Sequence, residues 1–445
     1  MSLNKFYEYI NSHDESEMHP GEIAELLRDL DDDEFAEAVK KIPKSLLGDV
    51  ALALPDRYFD DIVENLSVED LKEVVEELES DDKVEFLEEL EEVDKNVAEQ
   101  VFEKLDNEDK EEIETLKQYS EDEAGAYMQT EVFTAREDEI VEDVIKRFAK
   151  LKKEHELENV QNLFITDEEG RLKYAISLAD LLIFDFKKTI KENIEASDEN
   201  FEPIKAYDKE DIKEVVRYFE QYDLSVIPVV DSEGHLLGRI TSDDIYDIIN
   251  EQATEQMYNL AGVDDEAEED DDVLEAGKKR ATWLGINLVT AILASLVIGF
   301  FQDTIDSMVA LAVLMPIVAS MGGNAGTQTL TVVVRQLALG EIATDDAIRI
   351  IKKEVIISLL NGAIFAVVMG VIAWAWFNMP LLGVVIGLSM IINLLMAGFF
   401  GAIIPLALKK LKIDPAVGSS VILTTVTDVM GFFSFLGLAK VILLK

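Results

Sequence analysis

The 445 residues carry 91 Asp and Glu against 40 Lys and Arg, a formal charge of −51, and no Cys. A field of that sign should repel nucleic acid and anionic lipid and attract cations. The lack of Cys excludes disulfides and thiolate metal sites.

The length suits three or so folding units, and the charge is unevenly spread. Residues 1–277 hold 28 basic and 83 acidic groups, about −55, whereas residues 278–445 are apolar and slightly basic. The first thirty residues are polar and acidic, so no secretory signal is expected. The four His are scattered and suggest no His-rich metal site.

Residues 1–123 read as helices without strands. Apolar-periodic segments end at Leu66, Leu78, Leu90 and Leu105, each followed by a polar start signal at Ser67, Ser80, Asp94 or Asn107. Ser67 with Asp70 has the spacing of a capping box. The repeat of about 12–15 residues predicts short stacked helices, a small superhelix. Most of its many acids are expected to be solvated surface.

Residues 124–250 contain a duplication. Asp167, Gly170, Ser177 and Asp180 recur 64 positions later as Asp231, Gly234, Thr241 and Asp244. Around them the pattern also recurs: an apolar strand (LFIT; VIPVV), a Gly turn, a second strand (YAIS; GRIT) and a helix. This resembles a tandem pair of CBS domains, about 124–187 and 188–250, in an α/β fold. The resemblance implies adenine-nucleotide binding, with ATP as a ligand and with Ser177–Asp180 and Thr241–Asp244 holding the ribose at helix N-termini. The simpler alternative is that both pairs are N-caps.

The segment 251–263 continues the last helix, and residues 264–272 read as a solvated acidic link. Lys278, Lys279 and Arg280 mark the edge of a membrane. Five apolar spans are predicted at about 281–301, 308–334, 355–377, 381–407 and 416–444. Arg335, Arg349, Lys352 and Lys353 follow the second span; Lys409, Lys410 and Lys412 follow the fourth. The loops after the first and third have neither Lys nor Arg. The N-terminus is therefore expected in the cytoplasm and the C-terminus outside.

The second span contains Pro316 and ends in GGNAGTQ (322–328), small and polar residues that suit close packing or exposed carbonyls. The fifth carries Asp428 near its middle, which costs roughly 2.5–3.5 kcal/mol on insertion scales. Ser420, Thr424 and Asp428 share a helix face, with Thr425 beside them. An interhelical hydrogen bond is one reading of Asp428; an ion path is the other. The ligands in the spans are all oxygens, which suits Mg2+, Ca2+ or Mn2+. Mg2+ keeps several of its waters, so a pore for it needs few direct ligands.

YSEDEAGAYM (119–128), the CBS pair, EQATEQMYNLAGV (251–263), P…GGNAGTQ (316–328), NLLMAGFFGAIIPLALKKLKIDPA (393–416) and TTVTDVMG (424–431) together resemble the MgtE family of magnesium channels and transporters, over nearly the whole chain. The resemblance implies a multidomain homodimer in the cell (inner) membrane. Its parts are a helical N-terminal domain (1–123), the CBS pair, a connecting helix and link (251–277) and a five-span α-helical domain (278–445). It implies an ion path along the two-fold axis, lined by the second and fifth spans, with Asp428 as ion ligand and Asn324 in the pore motif. It also implies regulatory Mg2+ held by Asp243, Asp247, Glu251 and Glu255, with Asp82 and Glu85 opposite, Asp414 at the inner mouth and Asp223 as a looser match.

Family members often carry Pro after the Asp-Pro-Ala; this chain has Ser419-Ser420-Val421. An enzyme is not expected, because no soluble segment is left to house an active site. A Mg2+ channel gated by cytosolic Mg2+ and a gradient-coupled carrier of Mg2+, Mn2+ or Co2+ regulated by nucleotide both remain open.

Overall fold

The computed structural model describes residues 2–13, 17–153, 157, 159–263, 273–340, 342 and 346–444; the predicted acidic link at 264–272 lies outside them. The chain divides into two compact units, residues 1–250 and 251–445.

The first unit opens with helices α1 (Ser2–Ser12), α2 (Pro20–Arg28), α3 (Asp32–Val39), α4 (Lys44–Leu52), α5 (Phe59–Asn65), α6 (Val68–Glu77), α7 (Ser80–Val93), α8 (Lys95–Lys104) and α9 (Asn107–Leu116). Their ends follow the polar signals. Ser67 and Asp70 form the reciprocal capping box at α6, an arrangement worth about 1 kcal/mol. Asp94 and Asp106 cap α8 and α9. Gly48 lets α4 approach α6: a Cβ there would lie 2.5 Å from Leu78 Cδ2.

Two three-stranded sheets follow, ordered β1 (Thr134–Arg136), β2 (Asn162–Thr166), β3 (Leu172–Ser177) and β4 (Ala206–Tyr207), β5 (Val226–Val230), β6 (Leu236–Thr241). In each sheet the first pair is parallel and the second antiparallel, with an irregularity at the same place. The duplication extends to single atoms. Asp167 Oδ1 accepts from the N–H of Glu169 and Arg171, and Asp231 Oδ1 from that of Glu233 and His235. Gly170 and Gly234 take φ of +86° and +91°, which glycine adopts without a Cβ penalty. The two turns also pair with each other: Leu172 N–H donates to Gly234 O at 2.9 Å, and Leu236 N–H to Gly170 O at 3.1 Å.

The core is not partitioned at residue 123. One apolar cluster runs from Phe6 through the helices into Ile212, Val215, Ile227, Ile240 and Ile245 of the second sheet's layer, whereas the first sheet has its own cluster around Val141, Leu163, Ile165 and Ile176. The seam is polar as well as apolar: Arg239 lies 3.7 Å from Glu79 Oε1, and Thr130 N–H donates to Ser80 Oγ at 2.8 Å. Gln129 and Arg239 exchange backbone hydrogen bonds of 2.7 and 2.8 Å. Arg239 is fully buried, its Nε donating to Gln129 Oε1 at 3.1 Å. Helices α10 (Val141–Lys153), α11 (Leu178–Leu181), α12 (Ile190–Ala196) and α13 (Ile212–Tyr222) lie among the strands, and α14 (Ser242–Ala261) follows β6.

The second unit has five helices long and apolar enough to cross a membrane. They run Val273–Phe300, Val309–Ala338, Ala347–Phe377, Pro380–Lys410 and Ser419–Leu443. The first and third start about eight residues earlier than the apolar pattern predicts. Lys and Arg are good helix formers, and they extend both helices past the apolar stretch. The first loop contains a short helix, Gln302–Ser307. The third and fourth helices meet along stripes of small residues: a Cβ on Gly383 would lie 2.5 Å from Gly370 O, and one on Gly398 would lie 1.9 Å from Ser358 Oγ. Without a hydrophobic drive in lipid, such close packing is what holds spans together.

Candidate ion path and regulatory acids

On the fifth span, Ser420, Thr425 and Asp428 are half-buried and Thr424 is exposed. Thr424 Oγ1 donates to Ser420 O at 2.8 Å and Thr425 Oγ1 to Val421 O at 2.7 Å. Donating the hydroxyl proton back to the helix leaves each oxygen's lone pairs facing away as acceptors. The face is thus an acceptor surface, as a cation requires. Asn324, Thr327 and Gln328 of the second span are exposed, and Asn324 Nδ2 lies 3.4 Å from Ser320 Oγ. Ser419 is fully buried and its hydroxyl bonds Pro415 O. Asp414 Oδ1 accepts from Ala416 N–H at 2.6 Å, which fixes the turn into the span.

In the first unit the start of α7 faces the start of α14. Glu79, Asp81 and Asp82 there interact electrostatically with Asp244. Burial pushes Asp82 up to about 8, with Glu85, Asp49, Asp244 and Glu79 adding to it, and Asp244 to about 6, with Asp243 and Asp247 adding against the bonds from Thr241; burial also holds Asp81 well above the usual carboxylate range. Burial also pushes Glu79 to about 7, although Arg239, 3.7 Å away, pulls the other way. Asp81 Oδ1 is sealed from solvent with no hydrogen-bond partner. Glu85 and Asp243 join this field, Glu85 acting on Asp82 and Asp243 on Asp244. Among the described residues no three acidic or imidazole groups stand close enough to hold a metal ion.

The remaining predicted acids occupy separate places. Asp247 is exposed one turn along α14 from Asp243. Glu251 and Glu255 lie further along the same helix, in the second unit. Glu255 accepts from Asn259 at 3.3 Å. Asp223 takes the left-handed conformation that ends α13 (Ile212–Tyr222), a backbone role.

Both hydroxyl–carboxylate pairs of the duplication sit at helix starts, and Ser177 is the side-chain N-cap of its helix. Ser177 Oγ donates to Asp180 at 2.6 Å and accepts from its N–H. Thr241 Oγ1 and N–H both donate to Asp244 Oδ2, at 2.8 and 3.2 Å, and Thr241 also bonds Asp243. The helices they start differ: Ser177 caps four residues, Leu178–Leu181, whereas Thr241 precedes the twenty of α14. An open depression of about 630 Å3 beside the second sheet is lined by Tyr207, Asp208, Lys209, Glu210, Asp231 and Ser232, not by Thr241 or Asp244.

Two groups escaped the sequence reading. Glu354 is buried in the third span, which was predicted to begin one residue later. Its signal was Ser358 four positions on, a second polar residue on the same face. Glu79 and Asp81 flank Asp82, yet nothing in a run of surface acids marks which ones fold inward.

The MgtE intracellular N domain model matches residues 18–122, the CBS domain model residues 124–186 and 199–251, and the divalent cation transporter model MgtE residues 315–438. The magnesium transporter MgtE of Thermus thermophilus is 33% identical over 335 residues, 75% of this chain and 72% of the relative. Its namesake from Bacillus subtilis is 31% identical over 74% of this chain and 71% of the relative. A solved cytosolic domain of the Mg2+ channel MgtE in complex with ATP is similar at 30% identity, with a TM-score of 0.48, over 53% of this chain and 92% of that one.

Proposed function

The chain belongs to the MgtE family of divalent cation transporters, and from that premise we propose that it is a homodimeric Mg2+ channel of the cell membrane, closed by cytosolic Mg2+. The observation that carries this reading is Asp428, a carboxylate held half-buried in mid-span on a face of hydroxyl acceptors. Intramembrane acids mark ion paths. One Asp per subunit among hydroxyls gives few direct ligands and suits an ion that keeps its waters. The exposed Asn324, Thr327, Gln328 and Thr424 support a second copy, since polar groups facing lipid are costly. Orientation follows the Lys and Arg of the loops, with the N-terminus inside.

Gating rests on the acids between α7 and α14. A divalent cation would replace protons there and draw the two helices together. Switching a gate from mostly open to mostly closed needs about 5.5 kcal/mol of differential binding, which several weak sites can supply jointly. Adenine nucleotide at Thr241 and Asp244 would have to displace part of the existing cap, so its binding competes with α14's own N-terminus. Calorimetry of the chain with millimolar ATP tests this: binding heat supports it, and none leaves Asp244 a cap.

Asp428→Ala in proteoliposomes is expected to abolish Mg2+ uptake while the protein stays folded; normal uptake would remove the pore assignment. A second reading, gradient-coupled transport, is favoured by buried Glu354, since carboxyls inside spans also serve proton relays. Mg2+ current with no Na+ or H+ gradient distinguishes the two.

A further inference from the structure

Asn393 lies near the middle of the fourth span and is fully buried. Its Nδ2 donates to the carbonyl of Val318 on the second span at 2.7 Å. In a regular helix that carbonyl faces the N–H of Gly322, and its second lone pair is what Asn393 takes. The other end of the carboxamide, Oδ1, is sealed with no hydrogen-bond partner.

Two glycines make the space. A Cβ on Gly322 would fall 2.3 Å from Asn393 Nδ2, and a Cβ on Gly431 would fall 3.0 Å from the same atom. Gly322 precedes Asn324 by two residues, and Gly431 follows Asp428 by three. One carboxamide from a helix outside the candidate path therefore fills a notch in both helices that line it. An apolar side chain of similar size would fill such a notch with no acceptor left bare. A sealed, unpaired oxygen is costly, and where a native fold keeps one it calls for an explanation.

We propose that Asn393 is a positioning residue for ion binding, fixing the spacing between the Asn324 turn and the Asp428 turn. This rests on the reading that these two helices form the pore. Groups that bind an ion must be held to within about 0.5 Å by their supporting shell, or affinity falls. Asn393 meets the backbone of one pore helix and packs into the other, so it sets their separation without touching the ion.

The test is Mg2+ uptake by the purified full-length chain in proteoliposomes, with half-saturating concentration and maximal rate measured separately. Asn393→Ala is expected to raise the half-saturating Mg2+ concentration about tenfold, while the maximal rate per folded protein changes much less. A packing defect alone would lower the amount of active protein and leave the half-saturating concentration unmoved; that outcome overturns the proposal.

Gly322→Ala alone is expected to fold poorly, because its methyl collides with the carboxamide. Asn393→Ala/Gly322→Ala is expected to recover folded yield but keep the raised half-saturating concentration. Recovery of both would make Asn393 a volume filler and overturn the proposal. Should Asn393→Ala not assemble, Gly431→Ala displaces the carboxamide with a milder contact and is read by the same split.

Asp428→Ala is measured in parallel. Lost uptake there, with Asn393→Ala unchanged from the parent, overturns the positioning role alone. Normal uptake by Asp428→Ala overturns the pore reading and this role with it.

Discussion

The hydroxyl of Thr329 on the second span lies 3.3 Å from Oε2 of Glu354 on the third, and both residues are buried. This joins two spans that otherwise touch sparsely. Lys353 approaches the other carboxyl oxygen only to 3.9 Å, from an exposed position. Glu354→Ala leaves Thr329 without that acceptor and is expected to cost about 1–3 kcal/mol. Glu354→Gln keeps an acceptor of the same shape and is expected to stay near the parent in thermal unfolding. Equal destabilisation by the two would show that charge, not the hydrogen bond, holds the contact.

The acids between α7 and α14 make the first unit sensitive to pH. Burial pushes Asp82 up to about 8 and Asp244 to about 6 in the folded chain, against an ordinary 3.8. Between 3.8 and those values the folded chain holds protons that the unfolded chain has released. Stability therefore falls as pH rises through that window and levels off above about 8. Melting curves of the first unit's transition at pH 5.5 and 8.5 should show this decline, and millimolar Mg2+ should flatten it by taking the protons' place. Calorimetric titration with Mg2+ at pH 7 should register proton release as a dependence of the heat on the buffer used. No buffer dependence would separate Mg2+ binding from these acids.

Arg239 is a buried cation that lowers Glu79 within this field. Arg239→Ala would bare Glu79 and Gln129, and breaking one side of a buried pair costs about 3–5 kcal/mol. Arg239→Met, which fills the space without a charge, should be milder at pH 6 than at pH 8.5, because Glu79 can then stay protonated. Urea unfolding at the two pH values checks this; a pH-independent loss would mean that packing alone explains Arg239.

The absence of Cys makes orientation directly testable. Asp303→Cys, in the short helix after the first span, is expected to react with an impermeant thiol reagent from outside. Lys410→Cys, at the end of the fourth, is expected to react only from the cytoplasm. The reverse pattern would invert the orientation drawn from the loops.

Much of this architecture is legible in the residues, for local reasons. Ser67 and Asp70 announce a helix start because the bonds they make are three positions apart. The 64-residue offset reveals two sheets because each copy repeats its own turn chemistry at Asp167 and Asp231. Strands β1 and β4, three and two residues long, carry too little pattern to be seen. What sequence could not reveal lies between distant positions. Gln129 meets Arg239 across 110 residues, and the N-terminal helices share one apolar cluster with the second sheet, from Phe6 to Ile240. Glu354 was hidden by a boundary, since charge two turns into a helix looks like a loop until a neighbouring span buries it. Asn393 reads as one polar residue in an apolar run, and only the two glycines facing it give it a purpose.

The reciprocal bonds between the Gly170 and Gly234 turns have a consequence for a severed chain. A protease cut between Ser197 and Asn200 would separate the first copy from the second in covalent terms only. The turn pair, the Gln129–Arg239 exchange and the bonds from Ala124 and Gly125 to Glu210 and Asp208 all cross that cut. The two fragments should therefore stay together through gel filtration and part only in denaturant. Expressed separately, they should find each other as a split protein does.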